Sequence, residues 1–320
     1  MNHRVFISTH PYGAFECSPI DTLCTNGFEV IQNPCERKLN EMEVADLFRE
    51  YKADYLIAGT ERLSEYFFRL NRPKAISRVG VGYDAVDLDL CREYGIPVFF
   101  TPNAPRQAVV DQAIASICHF GQRIDEHYNA MSNKIWARKL RRGFPDLTVG
   151  IIGFGRIGSS VASALHALRC KRIIVSEINP TVVVPDFCES ASLDVVFAQC
   201  DVVCLHASRE PGFDDFIDHD LLSKMRSRSC FINLARGELV DEDALISLLK
   251  SRRDLVAYLD VFKEEPYTGP LTQLANCFCT AHLGSMTPSS REAMETTSAE
   301  NLISFVTKAE VNVDNIVYMP

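Results

Sequence analysis

Thr148-Val149-Gly150-Ile151-Ile152-Gly153-Phe154-Gly155-Arg156-Ile157-Gly158 is the stretch on which the fold turns. Val149-Gly150-Ile151-Ile152 is an apolar run of strand length, and residues 157–168 put Val161, Ala164 and Leu165 on one helical face. Strand, glycine turn and helix follow one another without a break. Gly153 permits the tight turn, Gly155 removes a side chain that would block a pyrophosphate, and Gly158 lets the helix lie close to the strand. Arg156 and Ile157 open that helix, where unpaired amides and the helix dipole favour a phosphate. A glycine triplet alone is weak evidence. With this context it specifies a dinucleotide loop.

The next strand candidate covers residues 172–177 and ends in Glu177, about 20 residues past the loop. A carboxylate there accepts hydrogen bonds from both ribose hydroxyls and repels a 2′-phosphate. Asn179 and Pro180 follow, with no arginine at the strand end to receive such a phosphate. NAD is therefore expected rather than NADP.

Outward from the loop, the chain repeats one theme: a short apolar run, a turn, an amphipathic stretch. Strand candidates before it are residues 5–8, 28–32, 54–58, 75–80 and 97–101, with helix-like stretches at 41–52, 61–70 and 86–94. After Pro102 and Pro105 a long helix is expected from residue 106 to about 131, carrying Val109, Val110, Ala113, Ile114, Ile117 and Cys118. A basic segment follows, with Lys134, Arg138, Lys139, Arg141 and Arg142, whose default reading is a solvated arm. The second series has strand candidates at 148–153, 172–177, 201–206, 230–234, 256–260 and 277–280, and residues 287–308 read as one helix packed through Met294, Ala299, Leu302 and Phe305. Such alternation predicts parallel sheets with helices on their faces.

Composition bounds the function. The 320 residues suffice for two domains, and the net charge of −9 opposes non-specific binding to nucleic acid or to anionic lipid. The amino terminus runs directly into an apolar strand, without the long apolar core of a signal peptide, and no later run is long enough to span a membrane, so a cytoplasmic protein is expected. Most of the 12 cysteines sit in apolar runs, as Cys118, Cys170, Cys204 and Cys230 do, and no cysteine or histidine pairs complete a zinc pattern. They read as reduced core thiols, and no metal is expected.

Three further segments place polar residues just past strand ends, on the rim where open α/β sheets bind ligands. They are Asn233-Leu234-Ala235-Arg236-Gly237-Glu238-Leu239-Val240-Asp241, Leu259-Asp260-Val261-Phe262-Lys263-Glu264-Glu265-Pro266, and Thr280-Ala281-His282-Leu283-Gly284-Ser285. Singly, each has a structural explanation: Arg236 and Glu265 as surface ion pairs, His282 as a helix-entry or core residue. Together and in this order they resemble the D-isomer-specific 2-hydroxyacid dehydrogenase family, over essentially the whole chain. Ile76-Ser77-Arg78-Val79-Gly80-Val81-Gly82-Tyr83-Asp84-Ala85-Val86-Asp87-Leu88, Ala58-Gly59-Thr60-Glu61 and His282-Leu283-Gly284-Ser285 look most like its phosphoglycerate-dehydrogenase-like branch.

The resemblance implies an α/β fold of two doubly wound parallel-sheet domains, a Rossmann-type nucleotide domain (103–286) inserted in a flavodoxin-like substrate domain (1–102 and 287–320), with the active site between them. It implies Arg236, Glu265 and His282 as catalytic residues, and Val81 and Gly82, with Arg236, as holding the substrate. His206, Ala207, Ala235 and Asp260 would join Gly153, Gly155, Arg156, Ile157, Gly158 and Glu177 around NAD, Asp260 at the nicotinamide carboxamide. A homodimer through the nucleotide domain is implied as well. The residue types suit the chemistry. Interconverting a 2-hydroxy acid and a 2-keto acid needs a proton carrier, and an imidazole titrates near pH 6.5. A carboxylate beside it raises that value and fixes the tautomer. A planar guanidinium grips a carboxylate and polarises a carbonyl better than a lysine does.

Some positions depart from the family's pattern. Ala281 stands where proline usually precedes the histidine, which predicts a less rigid loop. Asp111 stands where glutamate is commoner, Ala207 replaces a proline, and the loop to Phe216 is unusually acidic. Arg62, Arg106 and Gln107 are not the residues the resemblance leads one to expect, so the substrate is open between a phosphoglycerate-like compound and another anionic 2-hydroxy acid. The rival reading is an NAD-sensing, co-repressor-type binding protein on the same fold. Arg138, Lys139, Arg141 or Arg142 reaching a partner's active site is a further expectation, from charge and position.

Overall fold

Apolar runs of four or five residues, rich in Val, Ile and Phe, set the strands, and the stretches between them wind into helices that cover both sheet faces. The computed structural model describes residues 3–15, 18–210 and 212–320. The chain starts with β1 (His3–Ile7), α1 (Ser18–Thr25), β2 (Phe28–Gln32), α2 (Glu41–Glu50), β3 (Tyr55–Ala58), α3 (Glu65–Leu70), β4 (Ala75–Arg78), α4 (Leu88–Tyr94) and β5 (Val98–Phe99). Next come α5 (Arg106–Gln122), α6 (Ile124–Ser132), β6 (Thr148–Ile152), α7 (Arg156–Ala167), β7 (Arg172–Ser176), β8 (Glu189–Ser190), α8 (Leu193–Gln199) and β9 (Val202–Leu205). Then follow α9 (His219–Ser223), β10 (Cys230–Asn233), α10 (Glu242–Ser251), β11 (Val256–Leu259) and β12 (Cys277–Cys279), and the chain closes with α11 (Pro288–Thr307) and β13 (Ile316–Tyr318). It divides into two compact units, Met1–Arg106 with Ser285–Pro320, and Gln107–Gly284.

The sheet of the first unit runs β2-β1-β3-β4-β5-β13. Its first five strands are parallel, in the 2-1-3-4-5 order of a flavodoxin-like sheet. The edge departs from the entirely parallel sheet that the sequence predicts: β13 pairs antiparallel with β5, Ile316 opposite Phe99. The helix expected over 61–70 starts only at Glu65, because Glu61 is spent on the turn, where its buried carboxylate accepts from Gly59 N at 2.8 Å and from Ser8 Oγ. Helix α11 is capped by the Thr287 side chain and buries Met294, Ala299 and Leu302 against this sheet. On the same helix Arg291 and Glu295 form a buried ion pair of 2.7 Å, and Glu295 Oε2 also accepts from Gly13 N. Removing one member would strand the other's charge, a cost of about 3–5 kcal/mol.

The second unit is a seven-stranded sheet in the order β8-β7-β6-β9-β10-β11-β12, parallel throughout. Counted from β6, the order is 3-2-1-4-5-6-7, so the chain reverses direction across the sheet between β6 and β9. That crevice is where an open α/β sheet binds its ligand. Val149, Ile151, Val202, Cys204 and Ile232 face one helical layer with α5 and α7, while Ile152, Val203, Leu205 and Phe231 face the other with α8 to α10.

The single helix expected from 106 to about 131 is two helices, α5 and α6. Arg123 between them is left-handed, with φ +49°. Gly121 lies two residues before it, where a Cβ would press on the Arg142 carbonyl, but the apolar periodicity continues across the break, so the pattern passes over it. Among the described residues, no helix is long and apolar enough to cross a membrane. The basic segment 134–142 is neither helix nor strand. Arg142 does not project as part of a solvated arm: it pairs with Asp201 at 3.0 Å, donates to Arg228 O at 2.8 Å and lies over Phe120. Its charge is committed within its own unit.

Candidate active site

The glycine loop joins β6 to α7, and its three glycines do three different things. Gly153 is left-handed at φ +86°, and a Cβ there would lie 2.7 Å from Ala207 Cα. This loop thus packs directly on the segment after β9, across the crevice. A Cβ on Gly158 would overlap the carbonyl oxygen of Gly153, so the helix can approach its strand only as glycine. Gly155 differs from both, since a Cβ there would meet no protein atom within 4 Å. Packing does not require glycine at 155, which leaves a ligand that approaches the backbone closely. Arg156 is exposed beside it and Ile157 half-buried at the helix start.

Glu177 follows β7, the neighbouring strand. Its carboxylate accepts from Phe154 N at 2.6 Å and from Asn179 N at 2.8 Å. It is thereby held at the mouth of the glycine loop, where a dinucleotide presents its ribose. His206 follows β9, with Ala207 against Gly153. Neither ring nitrogen of His206 has a hydrogen-bond partner, and burial lowers its pKa to about 4. A buried imidazole must carry a hydrogen on one nitrogen, so an orphaned pair at the crevice marks a place where a ligand supplies the partner. These residues fit a dinucleotide.

Farther along the rim, Asn233 ends β10 and builds the turn that presents Arg236. Its side chain donates to Arg236 O at 2.8 Å and accepts from Ala235 N at 3.0 Å. Arg236 Nη1 donates to Ala235 O at 2.7 Å. The following Gly237 lies against the backbone of Phe262 and Lys263, where a Cβ would overlap the Phe262 carbonyl. That contact draws the arginine turn onto the segment after β11, which carries Glu265. Sequence reasoning assigned no role to Asn233 or Gly237. An Asn at a strand end before a tight turn was the available signal for the first; nothing local announces the second.

Glu265 and His282 meet. Nδ1 of His282 lies 2.9 Å from Glu265 Oε2 and 3.1 Å from Oε1, and Glu265 Oε1 also accepts from Phe262 N at 3.3 Å. With Nδ1–H donated to the carboxylate, Nε2 on the opposite edge of the ring is the nitrogen available for proton exchange. The histidine itself is left-handed, φ +52°, a conformation that persists only where neighbours impose it. Asp260 imposes it. Its backbone oxygen accepts from His282 N at 2.8 Å, and its buried carboxylate accepts from Thr280 Oγ1 at 2.5 Å, Leu283 N at 2.7 Å and Gly284 N at 2.8 Å. A loop expected to be loose, with Ala281 in place of proline, is fastened by these four bonds instead.

The acidic loop after Ala207 is also pinned. Arg209 holds Asp214 through two nitrogens and reaches Glu238 at 3.1 Å, and Lys263 pairs with Asp215 at 2.5 Å. Both ties end on the segments that carry Arg236 and Glu265. Asp111 accepts from Gln107 at 2.7 Å on the surface of α5. In the first unit, Val81 and Gly82 stand half-exposed past the end of β4, on a loop secured by Gly80 N donating to Thr101 Oγ1 at 2.8 Å. Arg62 is exposed, and Arg106 donates to Asn103 Oδ1 at 2.5 Å.

Known proteins resemble this chain over most of its length. The profile of the D-isomer specific 2-hydroxyacid dehydrogenase NAD-binding domain matches residues 114–284, more than half the chain. The chain belongs to that family. NAD is the cofactor of the domain. A D-3-phosphoglycerate dehydrogenase of Synechocystis sp. is 28% identical over 278 residues, 86% of this chain and 50% of that protein. The chain thus spans about half the length of this relative. A human glyoxylate reductase/hydroxypyruvate reductase is 30% identical over 239 residues, covering 72% of this chain and 73% of the human protein. Among solved structures, the TT0316 protein of Thermus thermophilus superposes with a TM-score of 0.84 at 29% identity, covering 98% of this chain and all of that one.

Proposed function

We propose that this protein is an NAD-dependent D-2-hydroxyacid dehydrogenase that interconverts a small, anionic 2-hydroxy acid and its 2-keto acid. The observation that carries the reading is the His282–Glu265 contact of 2.9 Å, on the same rim as Arg236 and the glycine loop. Gly153, Gly155, Arg156, Ile157 and Gly158 would hold the pyrophosphate, Glu177 the adenosine ribose, and His206, Ala207, Ala235 and Asp260 the nicotinamide half. Bound NAD supplies or accepts the hydride. Arg236 would grip the substrate carboxylate and polarise the reacting carbonyl, a bidentate task for a planar guanidinium. The amides of Val81 and Gly82 would hold the same carboxylate. In reduction, Nε2 of His282 gives its proton to the substrate oxygen, while Glu265, on Nδ1, balances the imidazolium charge and fixes the tautomer. In oxidation the proton returns along the same path.

The chemistry of the relatives frames the substrate: one is a phosphoglycerate dehydrogenase, another reduces glyoxylate and hydroxypyruvate. A two- or three-carbon 2-keto acid, with or without a phosphate, fits both. Eleven described cysteines are free, which supports a reducing, cytoplasmic setting. The exposed apolar side chains of Ile124, Tyr128, Met131, Ile135, Trp136 and Leu140 support a homodimer through the nucleotide-binding unit. NADH oxidation against glyoxylate, hydroxypyruvate and 3-phosphohydroxypyruvate tests the reading. Turnover with at least one of them is expected, with the D-hydroxy acid formed from either three-carbon substrate. Stoichiometric NADH binding without turnover on any 2-keto acid would overturn it.

A further inference from the structure

Strand β12 is the edge of the nucleotide-binding sheet and leads directly into the histidine loop. Its residues are Cys277, Phe278 and Cys279, paired with Ala257, Tyr258 and Leu259 of β11. Alternation along a strand puts the two cysteines on one face and Phe278 on the other. Phe278 stacks on Tyr258, ring centres 4.8 Å apart, so the register is fixed. Both cysteines pack beside Tyr267 and Leu274 on the opposite face, half-buried, with their sulfurs 3.7 Å apart.

That separation, a thiol–thiol contact as it stands, suits a chelate better than a disulfide. Two thiolates bound at about 2.3 Å to one tetrahedral ion lie about 3.75 Å apart. A disulfide needs sulfurs at about 2.05 Å and Cβ atoms near 3.8 Å, whereas alternate residues of a strand are about 6.6 Å apart at Cα, the far end of what a disulfide spans. The strand therefore presets a chelate and resists a bond. An anion stands close by: Glu242 accepts from Tyr267 Oη at 2.7 Å, and its charge bears on both sulfurs, which favours a cation between them. Among the described residues no group of three or more His, Cys, Asp or Glu side chains could hold a metal, so the protein offers two sulfurs here.

We propose that Cys277 and Cys279 form a two-thiolate site for a soft d10 cation of the zinc and cadmium class, on the strand that delivers His282. Binding forms two metal–sulfur bonds and releases two thiol protons to solvent, with no change in oxidation state. Affinity accordingly rises with pH. An ion there stiffens the stem of the loop that Asp260 fastens, three residues before His282.

Titration of the reduced full-length protein with Cd2+ tests this, read by the ultraviolet thiolate-to-cadmium absorption. One equivalent is expected to saturate the signal, which disappears in Cys277→Ser and in Cys279→Ala. Cys24→Ser/Cys35→Ser, which removes the two exposed thiols among the described residues, is expected to retain it. No stoichiometric signal in the wild-type protein, or an undiminished one in Cys277→Ser/Cys279→Ser, would overturn the proposal. The wild-type arm decides even where a variant folds poorly.

Discussion

Asp260→Asn isolates the device that fixes the histidine loop. The carboxylate accepts three donors, Thr280 Oγ1 and Leu283 N on Oδ1 and Gly284 N on Oδ2. An amide of the same shape keeps one acceptor oxygen. Its best orientation retains the two bonds at Oδ1 in weakened, uncharged form and turns an NH2 group toward Gly284 N, leaving that buried donor unmatched. A charge-assisted hydrogen bond is worth about 1.5–3 kcal/mol, and the weakening of two others brings the loss to about 2–4 kcal/mol. At a factor of ten per 1.4 kcal/mol, local opening becomes about 30-fold to about 700-fold more frequent. Hydrogen–deuterium exchange resolved over residues 280–285 reads this directly, because opening governs exchange there. Exchange at Leu283 and Gly284 is expected to accelerate within that range while β6 and β9 keep wild-type protection. An unchanged rate at Gly284 would refute the clamp.

Two further outcomes follow from the crevice. Gly155→Ala should leave the melting temperature unchanged and weaken NADH binding measured by fluorescence titration, because its Cβ meets no protein atom, whereas Gly158→Ala should lower both. Equal stability losses in the two variants would show that Gly155 is a packing residue. His206 makes stability acid-sensitive: its pKa falls from near 6.5 to about 4 on folding, so below pH 6.5 the unfolded chain takes up a proton that the native protein refuses. Native stability thus drops as pH falls from 6.5 towards 4, by about 3 kcal/mol at most, and urea midpoints of His206→Asn should lack that component. Parallel pH profiles for the two proteins would contradict a neutral, buried imidazole.

The parts of this molecule that were legible in the sequence are those whose signal is local. Gly153, Gly155 and Gly158 sit at fixed spacing between a strand and a helix, and Glu177 closes the next strand, so the crevice was readable residue by residue. The long helix α11 was legible too, since Thr287 caps its start and the stripe of Met294, Ala299 and Leu302 does bury. What escaped depends on long-range contact. The short β13 becomes a strand only because β5 offers it an edge. Arg123 breaks a helix across which the apolar pattern continues, with a single nearby glycine, Gly121, as the only local hint. Asp260 reads as a ligand-facing acid at a strand end, and only folding brings Thr280, Leu283 and Gly284 onto it. Gly237 gains meaning only from the Phe262 backbone pressed against it.

The central claim is that His282, oriented by Glu265, carries the proton of a 2-keto acid reduction. Steady-state NADH oxidation by His282→Ala, on whichever 2-keto acid the wild-type protein turns over, tests it most directly when paired with the NADH dissociation constant of the same variant. Removing a general acid costs about 10²- to 10⁴-fold in kcat. The account predicts a loss of that size with NADH affinity within about threefold of wild type, since the glycine loop and Glu177 are untouched. Wild-type turnover in His282→Ala would contradict it.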